Sequence, residues 1–306
     1  MTRHEVLGAL CGAGGMLVLG GSFAVSSLLV GAPFFASQAL RYLLATLALA
    51  LIAHQRGLLA RHPTLSELGW LLAVALSGLV GFNLFLLAAL RESEPGAVGV
   101  IVGCSPLLLA SIGPLVEGRL PHRRLLLAAI AVTGGAGVAQ GGGTTTGLGI
   151  LYALLTLLCE AAFSLLAVPT LPRLGPVVLS TYVCAIATLL LAGTSLWIEG
   201  VAAWPAPTLT ELAAVGYLAL VLTVGAFIAW YSAVDRLGVA RAGLFVGLVP
   251  VSALAGGVLL GTGTLSVTGL VGTILVGCGV AFGLADRAPA EAATTPRRTP
   301  PATLLP

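Results

Sequence analysis

The chain has 306 residues, 58% hydrophobic and only 8% charged, with a mean hydropathy of +1.08. This composition excludes an ordinary soluble domain, and with no Lys among its 14 basic residues the chain has no Walker A motif, which excludes an ATPase. The net charge of +3 is small; the information lies in where the arginines fall.

Ten apolar runs follow one another at 7–30, 33–53, 67–90, 95–117, 122–140, 148–168, 175–198, 209–234, 239–261 and 265–285. Each is close to the roughly 20 residues that a helix needs to cross a ~30 Å hydrocarbon layer. Barrel strands would instead alternate apolar and polar residues over about 10 positions. The expected fold class is therefore an all-α integral membrane protein with ten transmembrane helices.

The N-terminal MTRHEV leads into an apolar stretch longer than a signal-peptide core and without a convincing cleavage site, so it reads as the first span. Ser22 and Ser26 share a face of that span, and Gln38 lies one turn before Arg41 in the second. The third opens with PTLSEL, where Thr64 and Glu67 have capping-box spacing, and carries a lone amide, Asn83. Span four contains GVIVGCSP, with Gly99, Gly103 and Pro106; span nine contains GLFVGLVP, with Gly243, Gly247 and Pro250. Small residues at that spacing let helices approach, and an internal proline bends them, so these six residues are expected at a helix kink or repeat interface. The sixth span, LYALLTLLCEAAFSLLAV, holds Glu160 near its centre. Phe23, Phe82, Phe163 and Phe245 read first as packing residues and second as the lining of an apolar cavity, and Trp70, Trp197 and Trp230 as anchors near span ends. The five cysteines are odd in number and without metal spacing, and the four histidines are scattered without it too, so no disulfide framework, metal site or cofactor is expected. The Pro-rich tail 286–306 reads as disordered.

Sliding the chain against itself by 144 residues aligns PTLSEL, 63–68, with PTLTEL, 207–212. Over 63–118 against 207–262 there are 16 identities in 56 positions, where composition alone would give roughly 6. The unit holds five spans, an odd number, so the two copies face opposite ways. We expect one five-helix repeat in 1–140 and an inverted one in 141–285, the architecture of transporters with a midplane site. With the N-terminus in the cytoplasm, twelve arginines fall inside, Arg91 alone outside, and Arg41 within a span. That bias supports an even span count, both termini cytoplasmic, and placement in the cell (cytoplasmic) membrane.

At these residues the chain resembles the EamA-type branch of the drug/metabolite transporter superfamily. LGGSF, 19–23, stands where the family has a W-G-x-x-F-like signal, with Leu19 in place of Trp; Arg41 in QALRYLL matches a second-span Arg. Ser105 and Pro106 match an S-P in the fourth span, and Glu117 its terminal Glu; in the second half Pro250 is kept, while Gly261 occupies the place of the second Glu. The resemblance covers nearly the whole chain and implies a ten-helix transporter of amino acids, other metabolites or drugs, working as an exporter.

Charged groups within a membrane mark functional sites by default. Glu160 is open to three readings: an ion-pair partner of Arg41, a proton-carrying or amine-binding carboxylate, or a neutral acid hydrogen-bonded within the bundle. Arg41 is always charged, and so is a fixed counter-charge to Glu160 or to a substrate carboxylate. Arg41, Glu160, Gln38, Asn83, Ser22 and Ser26 form the expected substrate or coupling-ion pathway, the four uncharged ones each reading first as helix-to-helix hydrogen bonds. The expected function is alternating-access transport of a small metabolite such as an amino acid, with the bilayer as surroundings, protons as candidate coupling ion, and no nucleic-acid partner. An exporter of drug-like metabolites is the alternative, and an intramembrane enzyme or a scaffold subunit the reading of another class.

Overall fold

The computed structural model describes residues 2–29, 31–201, 208–259 and 266–285; the tail 286–306, the 261–264 loop with Gly261, Pro207 and the Phe23 side chain lie outside the described residues. Ten helices run in chain order: α1 Arg3–Gly21, α2 Phe34–Gln55, α3 Leu65–Glu92, α4 Pro95–Val116, α5 Arg123–Gln140, α6 Gly147–Leu165, α7 Leu171–Ile198, α8 Leu209–Leu237, α9 from Val239 to Leu259, and α10 Val267–Leu284. Nine of them are long and apolar enough to cross a membrane. The other, α5, is diluted by Arg123 and Arg124 at its start and Gln140 at its end. The described residues add short helical segments at Phe23–Ser26, Ser27–Leu29 and Leu58–Ala60 and one isolated bridge, Ser93 with Thr145.

The 144-residue offset reappears in the backbone. Adding 144 to Arg3–Gly21 gives Gly147–Leu165, and adding it to Arg123–Gln140 gives Val267–Leu284. Both capping boxes form: the Thr64 hydroxyl accepts from the Glu67 N–H at 3.3 Å, and Thr208 from Glu211 at 3.2 Å. A third, between Thr2 and Glu5, opens α1. Each of α3 and α8 widens into a π-helical stretch, Ala75–Gly81 and Leu218–Gly225, at repeat-related positions. α4 is interrupted at Gly103 and Cys104, and α9 tightens into a 3₁₀ turn at Leu244–Gly247. The sequence signals for these interruptions are the prolines two to three residues on, which lack the N–H that an α-helix needs.

The halves interlock. α2 packs on α7 and α5 on α10, each helix against its repeat partner, while α1 of the first half packs on α8 and α9 of the second, as α6 does on α3 and α4. Glycines permit the closest approaches. A Cβ on Gly135 would lie 2.8 Å from the Val276 nitrogen of α10, and one on Gly243 would lie 2.8 Å from Leu109 Cβ of α4. Gly99 and Gly103 face α5 instead, against Gln140 and Ala136, and Gly247 faces Val132, also of α5. Pro106 is buried at the start of the second stretch of α4, and Pro250 is buried in α9. Of the six residues expected at kinks or repeat interfaces, Gly243 and Gly247 thus touch the other half, Gly99 and Gly103 pack within their own, and the prolines sit beside the interruptions.

Overfilling the α5–α10 contact is costly because its neighbours are backbone atoms. Gly135→Val is expected to lower the unfolding free energy by about 2 kcal/mol or more. Gly134→Val, with open space beyond it, should change it by less than about 0.5 kcal/mol. Thermal unfolding in detergent compares the two, and equal losses would refute the packing argument.

Candidate functional site

A cavity of about 610 Å³ lies between α1, α2, α3, α6 and α8. Its lining runs from Gly31, Ala32 and Arg91 at the face where α2 begins to Met16, Glu160 and Trp230 at mid-depth. Leucine is the commonest lining residue, and Phe163 and Phe227 meet at a tilt at its deep end with Tyr231 behind them, the Phe163 centroid standing 5.2 Å from each of the other two.

The six residues expected along a pathway, Ser22, Ser26, Gln38, Arg41, Asn83 and Glu160, all line this cavity. Their partners differ from the expected ones. Arg41 Nε donates to Thr223 Oγ1 at 2.9 Å and Nη1 donates to Gln38 Oε1 at 3.3 Å. Thr223 is free to accept because its own hydroxyl donates to the Leu218 carbonyl at 2.9 Å, five residues back in the π stretch of α8. Asn83 Nδ2 donates to the Leu79 carbonyl at 2.8 Å, in the π stretch of α3, and to Tyr42 Oη at 3.3 Å, which bridges α3 to α2. Ser22 and Ser26 donate to carbonyls of their own helix, those of Val18 and Ser22, rather than to another helix.

Glu160 and Arg41 are not an ion pair, which corrects one of the three readings of Glu160. The ion pairs among the described residues lie elsewhere, and the side chain that meets the Glu160 carboxyl is Ser105, whose Oγ stands 2.7 Å from Oε2. The same Oγ is 2.7 Å from the Val102 carbonyl oxygen. The charge census of the spans pointed to Arg41 as the partner because it was the other ion available. The structure instead meets each ion with neutral groups from helix interruptions.

Two aromatic expectations also change. Trp230 is not a surface anchor: it is 4% exposed, lines the cavity, and its indole Nε1 has no hydrogen-bond partner. Trp197 is 87% exposed and Trp70 40%, as surface positions require. Phe82 and Phe163 line the cavity rather than only filling space, whereas Phe245 is buried against Gly12. Thr223, Tyr42 and Ser105 went unrecognised as site residues from sequence. A lone hydroxyl in an apolar run carries no signal unless the neighbouring helix is known.

At the opposite face the halves are held together by charged contacts. Arg241 Nη1 donates to Glu5 Oε1 at 2.9 Å, Arg173 Nε donates to Glu67 Oε1 at 2.6 Å, and the Val239 N–H donates to Glu117 Oε1 at 3.1 Å. Glu117 is also paired with Arg119. On the cavity side Glu199 accepts from the N–H groups of Phe35 and Ala36 at 2.9 and 3.0 Å, capping α2 where Pro33 offers no side-chain cap.

The sequence matches the model of the EamA-like transporter family over residues 6–139 and again over 147–284. It is 28% identical over 260 residues to the uncharacterized transporter YetK of Bacillus subtilis (strain 168), covering 81% of this chain and 78% of that protein. One solved crystal structure superposes with a TM-score of 0.78 at 20% identity, covering 90% of this chain and 95% of its own, which supports the fold. The chain belongs to the EamA-like transporter family and is a multi-pass membrane protein.

The lining predicts one-sided access. In a background with the native cysteines replaced, Leu87→Cys should react with a membrane-impermeant maleimide added at the face of residues 31–33, and Ala233→Cys, fully buried, should not. Labelling of both, or of neither, would contradict the cavity.

Proposed function

From membership of the EamA-like family, we propose that the protein exports a small metabolite bearing a carboxylate, such as an amino acid, by alternating access around this cavity. The observation that carries the reading is Arg41. Its guanidinium lines the cavity, its protein acceptors are the neutral Thr223 and Gln38, and a guanidinium has five N–H groups in a fork that suits a carboxylate. A fixed charge kept in a membrane without an acidic partner is explained by an anion that comes and goes. The Trp230 indole N–H adds an unpartnered donor at the deep end. Glu160 is the site for a proton or a substrate ammonium, and Asn83, Ser22 and Ser26 shape the polar side of the path. The reading as a transporter rather than an enzyme rests on the family membership.

The arginine distribution supports cytoplasmic termini in a cell membrane, so that the cavity described opens outward. Outward transport follows the family resemblance. The apolar walls favour a second reading, an exporter of drug-like hydrophobic metabolites, and a substrate panel separates the two.

The test is counterflow of labelled amino acids and of hydrophobic compounds in proteoliposomes. Losing a hydrogen bond to a charged group costs about 1.5–3 kcal/mol, so Arg41→Gln should raise KM for a carboxylate substrate at least roughly tenfold, with Arg41→Lys intermediate. Normal flux in Arg41→Gln would sink the carboxylate reading, and flux of hydrophobic compounds alone would favour the second.

A further inference from the structure

Pro106 has no N–H, so the carbonyl of Val102, four residues earlier, has no helical donor. Around it the chain tightens: the Gly103 N–H donates to the Gly99 carbonyl at 2.8 Å and the Cys104 N–H to that of Ile101 at 3.1 Å. The Val102 carbonyl is met by the Ser105 hydroxyl at 2.7 Å, and Ser105 is fully buried. The same hydroxyl oxygen is 2.7 Å from Glu160 Oε2. A serine hydroxyl has one proton and a carbonyl can only accept. With that proton committed to Val102, the contact to Glu160 is a hydrogen bond only if the carboxyl supplies the proton.

We propose that Ser105 is a relay between Glu160 and the interruption in α4: the neutral Glu160 carboxyl donates to Ser105 Oγ, and Ser105 donates to the Val102 carbonyl. When Glu160 releases its proton to water in the cavity, the Ser105 hydroxyl turns to the carboxylate and the Val102 carbonyl loses its donor. An unmade hydrogen bond in a dry interior is costly. Proton loss therefore destabilises this geometry of α4, the helix that packs on α9 across the two halves. Only O–H bonds are made and broken, and water takes the proton.

The remaining charged and titratable groups leave Ser105 as this partner. α6 packs on α3 and α4. These carry Arg91 and Glu92 at the cavity's mouth, Glu67 and Glu117 at the opposite face, and Cys104 beside Ser105. Cys159 is on α6 itself, and Arg41 and Tyr42 line the cavity from α2. Among the described residues, Ser105 is the side chain hydrogen-bonded to the Glu160 carboxyl. The relay joins Ser105 of the first half to Glu160 of the second, and it is not duplicated. At the repeat-related positions Pro250 is kept, but Val249 stands for Ser105 and Met16 for Glu160.

This inference deepens the proposed role of Glu160, yet its test needs no substrate, so it and the transport reading fail separately. Infrared spectra of the purified protein in bilayers report the carbonyl stretch of a protonated carboxyl. At neutral pH the wild type should show such a band and Glu160→Gln should lack it; no band assignable to Glu160 overturns the proposal. Pro106→Ala gives Val102 a backbone donor and frees the serine proton for the carboxylate. The band should then be lost roughly 1 to 2 pH units lower than in wild type. The same change in a Ser105→Ala background should have no effect. A Pro106→Ala titration like that of wild type, or an equal shift with and without Ser105, overturns the relay. If Pro106→Ala does not fold, Ser105→Ala must move the band and Ser105→Thr restore it; a band unmoved by Ser105→Ala overturns the relay equally.

Discussion

Inside a hydrocarbon layer no water is present to satisfy a backbone carbonyl that its helix has released, so a side chain must do so. This constraint organises the site. The helices are interrupted where Pro106 removes an N–H and where α3 and α8 widen into π stretches. At these irregular stretches Ser105, Asn83 and Thr223 donate to the carbonyls of Val102, Leu79 and Leu218. Their remaining hydrogen-bonding capacity then goes to Glu160, Tyr42 and Arg41. The cavity's polar groups are thus extensions of backbone repair, and the ionised or ionisable groups are located by helix irregularities rather than by each other.

The same constraint explains what could be read before the fold was known. Spans, caps and the repeat are local or periodic properties, so the offset between PTLSEL and PTLTEL carried through to helix ends tens of residues away, and Thr64 and Thr208 formed the caps their spacing implied. The prolines announced the interruptions. The π stretches were not announced, because Ala75–Gly81 and Leu218–Gly225 are ordinary apolar runs in composition. Without them Thr223 had no assigned task, and Arg41 was weighed against the only other ion nearby. Trp230 was misplaced for a related reason: depth along a helix is legible, but which face points inward is not when nearly every residue is apolar.

A symmetric scaffold carries an asymmetric set of polar groups. Repeat partners of Arg41, Glu160, Ser105 and Thr223 are Ala185, Met16, Val249 and Leu79. The backbone retains the pairing of halves that the proposed alternating access needs, while Arg41 and Ser105 come from the first half and Glu160 and Thr223 from the second, none of them duplicated. Divergence of this kind is tolerated because a packing position accepts an apolar side chain of similar volume.

The charged contacts at the face opposite the cavity extend this asymmetry. Glu5, Arg241, Arg173 and Glu117 tie the halves together there, and at their repeat-related positions stand Gly149, Ala97, Leu29 and Gly261. In the proposed alternating access, opening that face would break these ion pairs, whereas at the cavity side the halves are joined by Glu199 capping α2. For the proposed alternating access, the conformation described is favoured by arginine–glutamate contacts at one rim, whose hold weakens with ionic strength.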